Sequence, residues 1–309
     1  MNPSNYLPFA RFQFNFQVET PLHLNFYSGS MLRGAFGHAL RHLSCMTKMP
    51  DCKTCMLYRS CPYPLVFEHP PQASQFQKFD NIPNPYIIEP PPLGNKIYQV
   101  GEVLSFNMVL MGQAMAQLPL SIFAWQRALQ QGLGKERSRA RLLNVVVEPN
   151  QPHAQAVYNA LEGNAVQAYQ ASVPPMLAQT DSLTLQFVTP LRIQKQGTIL
   201  SREMTARDVL GALLRRYFLL LEFHGEDYHA PDFAALIAQA QQVACEVDLR
   251  WCDWQRYSDR QQQAMNLGGV LGRVVLRGDL SAFLQMLQAG QWLHIGKETT
   301  FGMGQFVLR

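Results

Sequence analysis

Charged side chains are scarce in this sequence of 309 residues. Asp, Glu, Lys and Arg together make up 16% of the chain, and the formal net charge is only +4. So small a net charge neither demands nor excludes a nucleic-acid partner. The hydrophobic fraction of 47% excludes a disordered tail, because the chain can bury substantial cores. The length is large for one domain and comfortable for two of about 150 residues each.

Signals for export and for the membrane are also missing. Residues 1–8 lack the basic and then apolar pattern of a signal peptide. The longest uncharged run, residues 103–126, changes from a strand period to a helix period halfway, so we do not expect it to span a membrane. Six cysteines in a chain of this length are too few for a secreted disulfide scaffold. These absences predict a cytoplasmic protein that does not contact a membrane.

Several familiar catalytic motifs are absent as well. The sequence has no Walker A loop, no G-x-S-x-G nucleophile elbow and no Rossmann fingerprint. No group of Asp and Glu has a spacing that would hold metal ions, which argues against a two-metal nuclease or polymerase.

The beginning of the chain has a counterpart farther along. In residues 12–18 phenylalanines alternate with Gln and Asn, as in a strand with one apolar face, before a Thr-Pro-Leu motif. Residues 183–187 alternate in the same way before a second Thr-Pro-Leu motif. Each strand is followed by a loop and then by a helix, predicted at about residues 31–43 and 205–223. The two halves therefore begin alike.

The two halves also end alike. A helix predicted at residues 119–131 leads through a Gly-Lys-Glu turn to a strand at 142–147. A helix predicted at residues 280–289 leads through a second Gly-Lys-Glu turn to a strand at 305–308. Two pairings in the same order indicate a duplicated unit.

Within each half the predicted order is strand, helix, strands, helix, turn and strand. This is the ferredoxin-like pattern, with helices on one face of an antiparallel sheet, and the fold class is α+β. We expect an N-terminal domain at residues 1–150, a linker at 151–180 and a C-terminal domain at 181–309. The first domain carries a cysteine-rich insertion at 45–61, and the second carries a glycine-rich loop at 294–304.

Four of the six cysteines lie close together, at Cys45, Cys52, Cys55 and Cys61. Thiolates at this spacing in a reducing compartment suit a tetrahedral soft-metal site, most simply a structural Zn²⁺ bound by four sulfurs. An iron–sulfur cluster is also compatible with four cysteines, and four unliganded thiols are the third interpretation. Either metal would be structural, because four sulfur ligands leave no open position for catalysis.

The glycine-rich loop could bind phosphate, because glycines let backbone N–H groups approach an anion closely and Lys297 supplies positive charge. A tight turn between helix and strand explains the same glycines equally well. Upstream, Arg256-Tyr257-Ser258 and Gly268-Gly269 combine arginine, an aromatic residue and glycine as many RNA-binding surfaces do, although a solvated hairpin has the same composition.

Histidine offers the remaining chemistry. His38 and His42 are four residues apart on the first predicted helix and therefore share a face, with Tyr27 before the helix and Lys48 after it. An imidazole, a phenol and an ammonium group that converge on one point could cleave RNA without metal. One group would take the proton of a 2′-hydroxyl, another would protonate the leaving 5′ oxygen, and the cation would stabilise the phosphorane. The alternative is that each histidine merely packs or caps.

Together these features resemble the CRISPR-associated RAMP endoribonucleases that process precursor CRISPR RNA, the family known as Cas six. The resemblance extends over nearly the whole chain. It rests on the Arg-Gly-Ala-Phe-Gly helix at residues 33–37, the segment after Cys61, the Arg256-Tyr257-Ser258 and Gly268-Gly269 segments, and the glycine-rich loop.

The resemblance implies two tandem ferredoxin-like domains of the RAMP or RRM type. It also implies metal-independent cleavage within each CRISPR repeat, which leaves a 2′,3′-cyclic phosphate and a 5′-hydroxyl. The expected partners are CRISPR repeat RNA, the mature guide RNA and other subunits of a CRISPR effector complex.

By the same resemblance, Tyr27, His42 and Lys48 match the family's catalytic order, and His38 competes with His42 for the central position. The glycine-rich loop would contact RNA. The residues expected to bind RNA are Arg33, Arg41, Arg256, Arg260, Gly296, Lys297, Thr299, Gly302 and Gly304.

Two other functions remain compatible with the sequence. One is a RAMP-fold subunit that binds guide RNA without cutting it, and the other is a zinc-stabilised scaffold whose partner is another protein.

Overall fold

The computed structural model describes residues 6–70, 82–163, 165–201, 203–258 and 263–309. The chain divides into two compact units. The first unit contains Leu7–Ser172 and Glu222–Gly225. The second contains Tyr6, Val173–Leu221 and Glu226–Arg309.

The first unit begins with a long strand and alternates strands with helices. Its elements are β1 (Phe9–Val18), β2 (Leu22–Leu24), α1 (Gly29–Ser44), α2 (Pro62–Phe67), β3 (Tyr86–Glu89), β4 (Lys96–Tyr98), β5 (Val103–Met111), a 3₁₀ turn (Gly112–Gln117), α3 (Leu118–Gln131), β6 (Ala140–Val147) and β7 (Gln155–Asn159). The predicted first strand and first helix are confirmed as β1 and α1, and the helix predicted at residues 119–131 is confirmed as α3.

Five of these strands form one antiparallel sheet in the order β3-β5-β1-β6-β7. The alternation in β1 is the reason for its two faces: Phe12, Phe14 and Phe16 are fully buried, whereas the Gln and Asn between them are half-buried. α1 and α3 cover the apolar face, where the rings of Phe36 and Trp125 stack with their centroids 5.0 Å apart. Burial of large aromatic side chains makes this the core of the first unit.

The second unit follows a similar order. Its elements are β8 (Ser182–Leu191), β9 (Gln194–Lys195), β10 (Thr198–Ile199), α4 (Ala206–His224), α5 (Phe233–Gln242), β11 (Ala244–Cys252), β12 (Gln255–Ser258), β13 (Gln263–Asn266), β14 (Gly269–Arg277), α6 (Leu284–Leu293), a 3₁₀ turn (Thr299–Phe301) and β15 (Phe306–Leu308).

The antiparallel sheet of this unit has the order β11-β14-β8-β15. Its first-unit counterparts are β3, β5, β1 and β6, which are neighbours in the same order. β7 is an addition at one edge. The described part of the chain is thus a mixed α/β protein whose two larger sheets are antiparallel and share one strand order.

Two predictions about this chain need correction. Residues 151–180 were expected to be a linker, but they contain β7, which pairs with β6. The sequence of β7 has no clear alternation of apolar and polar residues, so it is the backbone pairing with β6 that makes it a strand. α6 begins at Leu284 and not near residue 280, because Leu280 and Phe283 form a turn in which the N–H of Phe283 donates to the Leu280 carbonyl.

Within the described residues, no helix combines the length and the apolar character that a membrane span requires.

Candidate functional site

α1 presents one apolar face and one solvent face. Leu32, Phe36 and Leu40 are fully buried against the sheet, as their spacing of four residues requires. His38 and His42 lie on the opposite side and are exposed to solvent. The helix therefore offers two imidazoles, one turn apart, to a molecule in solution.

Tyr27 differs from the histidines in its exposure, which is only 6%. Burial, and secondarily the negative charge of Glu89, raises the pKa of the Tyr27 phenol well above its usual value. Glu89 is itself buried and forms a salt bridge of 2.8 Å with Arg11. The structure thus places the Tyr27 side chain in the interior, where it stays neutral.

Lys48 is exposed and lies in the cysteine-rich segment, with a positive φ of 54°. Arg41, in the last turn of α1, holds the backbone that follows. Its Nη2 donates to the carbonyls of Met49 at 2.8 Å and Pro50 at 2.7 Å. The backbone next to Lys48 is therefore fixed to the helical turn that carries His42.

The two arginines of α1 that were expected to bind RNA, Arg33 and Arg41, also contact other groups of the protein. Besides its bonds to the loop, Arg41 lies over the ring of Tyr63, 5.9 Å from the centroid. Arg33 lies 4.3 Å from the centroid of the Phe67 ring, and its Nε donates to the Tyr86 hydroxyl at 3.0 Å. These contacts give both side chains a structural role that the sequence did not indicate.

The four clustered cysteines line one small cavity of about 20 Å³. Cys45 follows α1 directly and Cys61 precedes α2, while the N–H of Cys55 donates to the Cys52 carbonyl at 3.0 Å in a turn. All four are free thiols. Among the described residues, however, no three Cys, His, Asp or Glu side chains are grouped as metal ligands. The four cysteines of the predicted zinc-binding insertion therefore share a cavity, but the structure does not show a metal site there.

The environment of each thiol differs. Burial raises the pKa of Cys52 and of Cys61. A hydrogen bond with Thr47, whose Oγ1 lies 3.3 Å from the sulfur, lowers the pKa of Cys55.

In the second unit, the glycines of the glycine-rich loop allow the backbone conformation that the loop adopts. Gly296, Gly302 and Gly304 have φ of 88°, 87° and 71°, a region that favours glycine. A Cβ on Gly296 would collide with the Arg192 carbonyl, and one on Gly304 would collide with the Ile295 carbonyl.

Several backbone N–H groups of this loop, which were predicted to bind a phosphate, donate hydrogen bonds to carbonyls of the protein instead. The N–H groups of Lys297 and Gly304 donate to the carbonyls of Arg192 at 2.8 Å and Pro190 at 2.9 Å, and that of Gly302 donates to a carbonyl within the loop. Thr299 is buried. Lys297 is exposed, and its Nζ donates to the Gln194 side chain. The ammonium group of Lys297 is thus the loop feature that best suits contact with an anion.

Arg256 lies in β12, where its backbone pairs with Met265 of β13. Arg260 lies outside the described residues. Sequence reasoning did not single out Trp251 or Arg192, which lie next to Gly268 in the structure. The available signal for Trp251 was an aromatic residue five positions before the Arg256-Tyr257-Ser258 segment.

Comparisons with known proteins place these features in a family. Residues 7–171, more than half of the chain, match a family model described as the N-terminal domain AF_1859_N. Residues 185–306 match the family model of the CRISPR-associated endoribonuclease Cas6. No curated protein matches the chain in sequence.

Solved structures share the fold over almost the whole chain. The solved structure of a Cas6 product complex is 17% identical to this chain, with a TM-score of 0.61. The alignment covers 98% of this chain and 99% of the other chain. Thermus thermophilus Cas6 has 17% identity and a TM-score of 0.56 with the same coverage. A Cas6-related protein from Pyrococcus furiosus has 8% identity and a TM-score of 0.51, and covers 97% of this chain and 98% of its own. The first half of the chain thus belongs to the AF_1859_N family of N-terminal domains, and residues 185–306 carry a domain that matches the Cas6 family of CRISPR-associated endoribonucleases.

Proposed function

We propose that this protein cleaves CRISPR repeat RNA within precursor transcripts and so produces guide RNAs in the cytoplasm. The observation that carries the proposal is the match of residues 185–306 to the Cas6 family model. A Cas6 of the same fold has been solved as a product complex, which supports a substrate of this class.

The proposed chemistry uses the RNA's own 2′-hydroxyl as the nucleophile. A base removes the 2′-hydroxyl proton, the 2′ oxygen bonds to phosphorus, and the bond from phosphorus to the 5′ oxygen breaks. An acid returns a proton to that 5′ oxygen. The products are a 2′,3′-cyclic phosphate and a 5′-hydroxyl, and no metal ion is required by this route.

His42 is the proposed base or acid, because it is exposed and because Arg41, its neighbour, holds the backbone next to Lys48. Lys48 would stabilise the charge of the phosphorane. His38 is the second imidazole and the alternative central residue. Tyr27, enclosed next to Glu89, is best suited to position the start of α1.

The proposed RNA contacts in the second unit include Lys297, Arg256 and Arg260. Phosphate contacts of this kind predict binding that weakens as salt rises, because cations on the protein displace counterions. Other CRISPR proteins are proposed partners as well. A partial Cas6-RT-Cas1–Cas2 complex contains the same fold, at 15% identity and a TM-score of 0.54, and this chain covers 46% of that one.

We also propose that each unit is a ferredoxin-like copy of one module, since both sheets share one strand order. The four cysteines would hold one structural Zn²⁺. The shared cavity and the four free thiols support this assignment. An iron–sulfur cluster is the alternative that elemental analysis tests.

The test is to incubate the purified protein with its own repeat RNA in EDTA. We expect a single cut within each repeat, and we expect His42→Ala to lower the cleavage rate by about 10²- to 10⁴-fold while binding changes by less than about tenfold. His38→Ala is the matched control. Unchanged cutting by His42→Ala together with loss of cutting by His38→Ala would assign the central role to His38. Retention of intact RNA by the wild type would identify a binding subunit, and no RNA binding would favour a protein scaffold.

A further inference from the structure

One tryptophan stands apart from the other three. Trp125, Trp254 and Trp292 are buried, with exposures of 0%, 6% and 4%. Trp251, at the end of β11, is 47% exposed. All four tryptophans of the chain lie within the described residues. The exposed face of this ring is available to stack on a ligand.

The Trp251 ring is held in place on one side. A Cβ on Gly268 would lie 2.6 Å from Cε2 of the indole, so the ring packs directly on the glycine. The indole Nε1 donates to Oδ1 of Asp253 at 2.7 Å. Glycine beneath the ring and a carboxylate at its edge fix the ring before anything binds, which reduces the entropy lost on binding.

Arg192 lies close to this ring, and Lys297 is joined to Arg192 through the backbone. Nη1 of Arg192 donates to the Gly268 carbonyl, and the Arg192 carbonyl in turn accepts the N–H of Lys297 at 2.8 Å. The carboxylate at the edge of the ring, Asp253, accepts the indole N–H.

An aromatic ring beside cationic side chains matches the chemistry of single-stranded RNA, whose bases stack while its phosphates pair with cations. A protein partner would instead favour a broader apolar surface around the ring. The groups shown at or beside the ring, Gly268, Asp253 and Arg192, are small or polar, so RNA is the better match.

We propose that the open face of Trp251 stacks on an unpaired base of the bound RNA, with Arg192 and Lys297 near the phosphates. This inference rests on the proposed function and specifies a binding subsite for it.

The test is the intrinsic fluorescence of the full-length protein, titrated with repeat RNA made uncleavable by a 2′-deoxy nucleotide at the cut. We expect the RNA to quench the exposed tryptophan. Trp251→Phe should lose that quenching and bind within a few fold of wild type. Trp251→Ala should raise Kd by about tenfold, the usual scale for one stacked base. Gly268→Ala, whose Cβ displaces the ring, should weaken binding in the same direction.

The matched control is Phe123→Ala, which removes another exposed aromatic ring (55% exposed) in the first unit and should leave Kd unchanged. Wild-type cutting with no quenching and an unchanged Kd for Trp251→Ala would overturn the stacking proposal and leave the proposed function intact. Trp251→Ala that binds RNA normally but no longer binds a CRISPR protein would assign the ring to a protein interface and also overturn it. A wild type that neither binds nor cuts the RNA would instead overturn the proposed function.

Discussion

The glycine-rich loop was predicted to contact RNA and the cysteine-rich segment to bind a structural metal, and the two are held by different physical means. In the glycine-rich loop, Gly302 and Gly304 are buried and main-chain hydrogen bonds tie the loop to residues 190–192. In the cysteine-rich segment, Met46 and Met56 are 85% and 89% exposed, and the four thiols surround a small cavity. The first loop is fixed by its own backbone, whereas the second exposes large apolar side chains, and the proposed metal would supply a cross-link there.

The largest expected effect is a backbone clash in the glycine-rich loop. Gly304→Ala would place a Cβ against the Ile295 carbonyl at a φ of 71°. We expect the free energy of unfolding to fall by about 3 kcal/mol or more, measured by chemical denaturation. Gly34→Ala is the control, because a Cβ there has nothing within 4 Å and alanine favours the helix. Equal stability of the two variants would show that the backbone does not fix this loop.

The next effect concerns the proposed cross-link. Cys52→Ser combined with Cys55→Ser should reduce zinc from about one ion per chain to none and lower the melting temperature by several degrees. Elemental analysis and calorimetry measure the two quantities. Cys252→Ser, outside the cluster, should leave the metal content unchanged. An iron-containing wild type, or metal retained in the double variant, would contradict the zinc assignment.

Removal of the Arg41 side chain should have a smaller effect. Arg41→Gln loses the charged donor to Met49 and Pro50, and we expect unfolding to become easier by roughly 2 kcal/mol. Arg59→Gln, which changes an exposed arginine in the same segment, should have little effect. If Arg41→Gln keeps its stability but loses RNA affinity, the arginine binds RNA and does not hold the loop.

The smallest expected effect is a pH dependence of the first unit. Burial lowers the pKa of His69, so the folded protein holds the proton less tightly than the unfolded chain does. The stability contributed by neutral His69 is full above a pH of about 6.5 and is lost as the pH falls through the lower folded pKa. His69→Gln should reduce this acid-side loss in urea titrations, whereas exposed His153→Gln should not. Identical pH profiles for wild type and His69→Gln would exclude this role.

Local periodicity predicted the elements with strong amphipathic patterns. β1, α1, α3 and β8 follow directly from spacings of two and of three to four residues, because each buries one face. β7 could not be predicted, since its pairing with β6 and not its own pattern makes it a strand. Thus the duplicated order was readable in the sequence, and the addition at the sheet edge was not.

The candidate site was only partly readable for the same reason. Spacing alone placed His38 and His42 on one helical face. The raised pKa of Tyr27 comes from its burial and from the charge of Glu89, which is far away in the sequence, and the position of the Trp251 ring depends on Gly268. Such contacts arise from tertiary packing, which a local pattern does not encode.

The most direct test of the account uses RNA with one altered sugar. A repeat RNA with a single 2′-deoxy nucleotide immediately 5′ of the cut, in EDTA, should bind with unchanged affinity and remain intact, because its nucleophile is missing. Cleavage of this RNA at the wild-type rate would contradict the proposed chemistry.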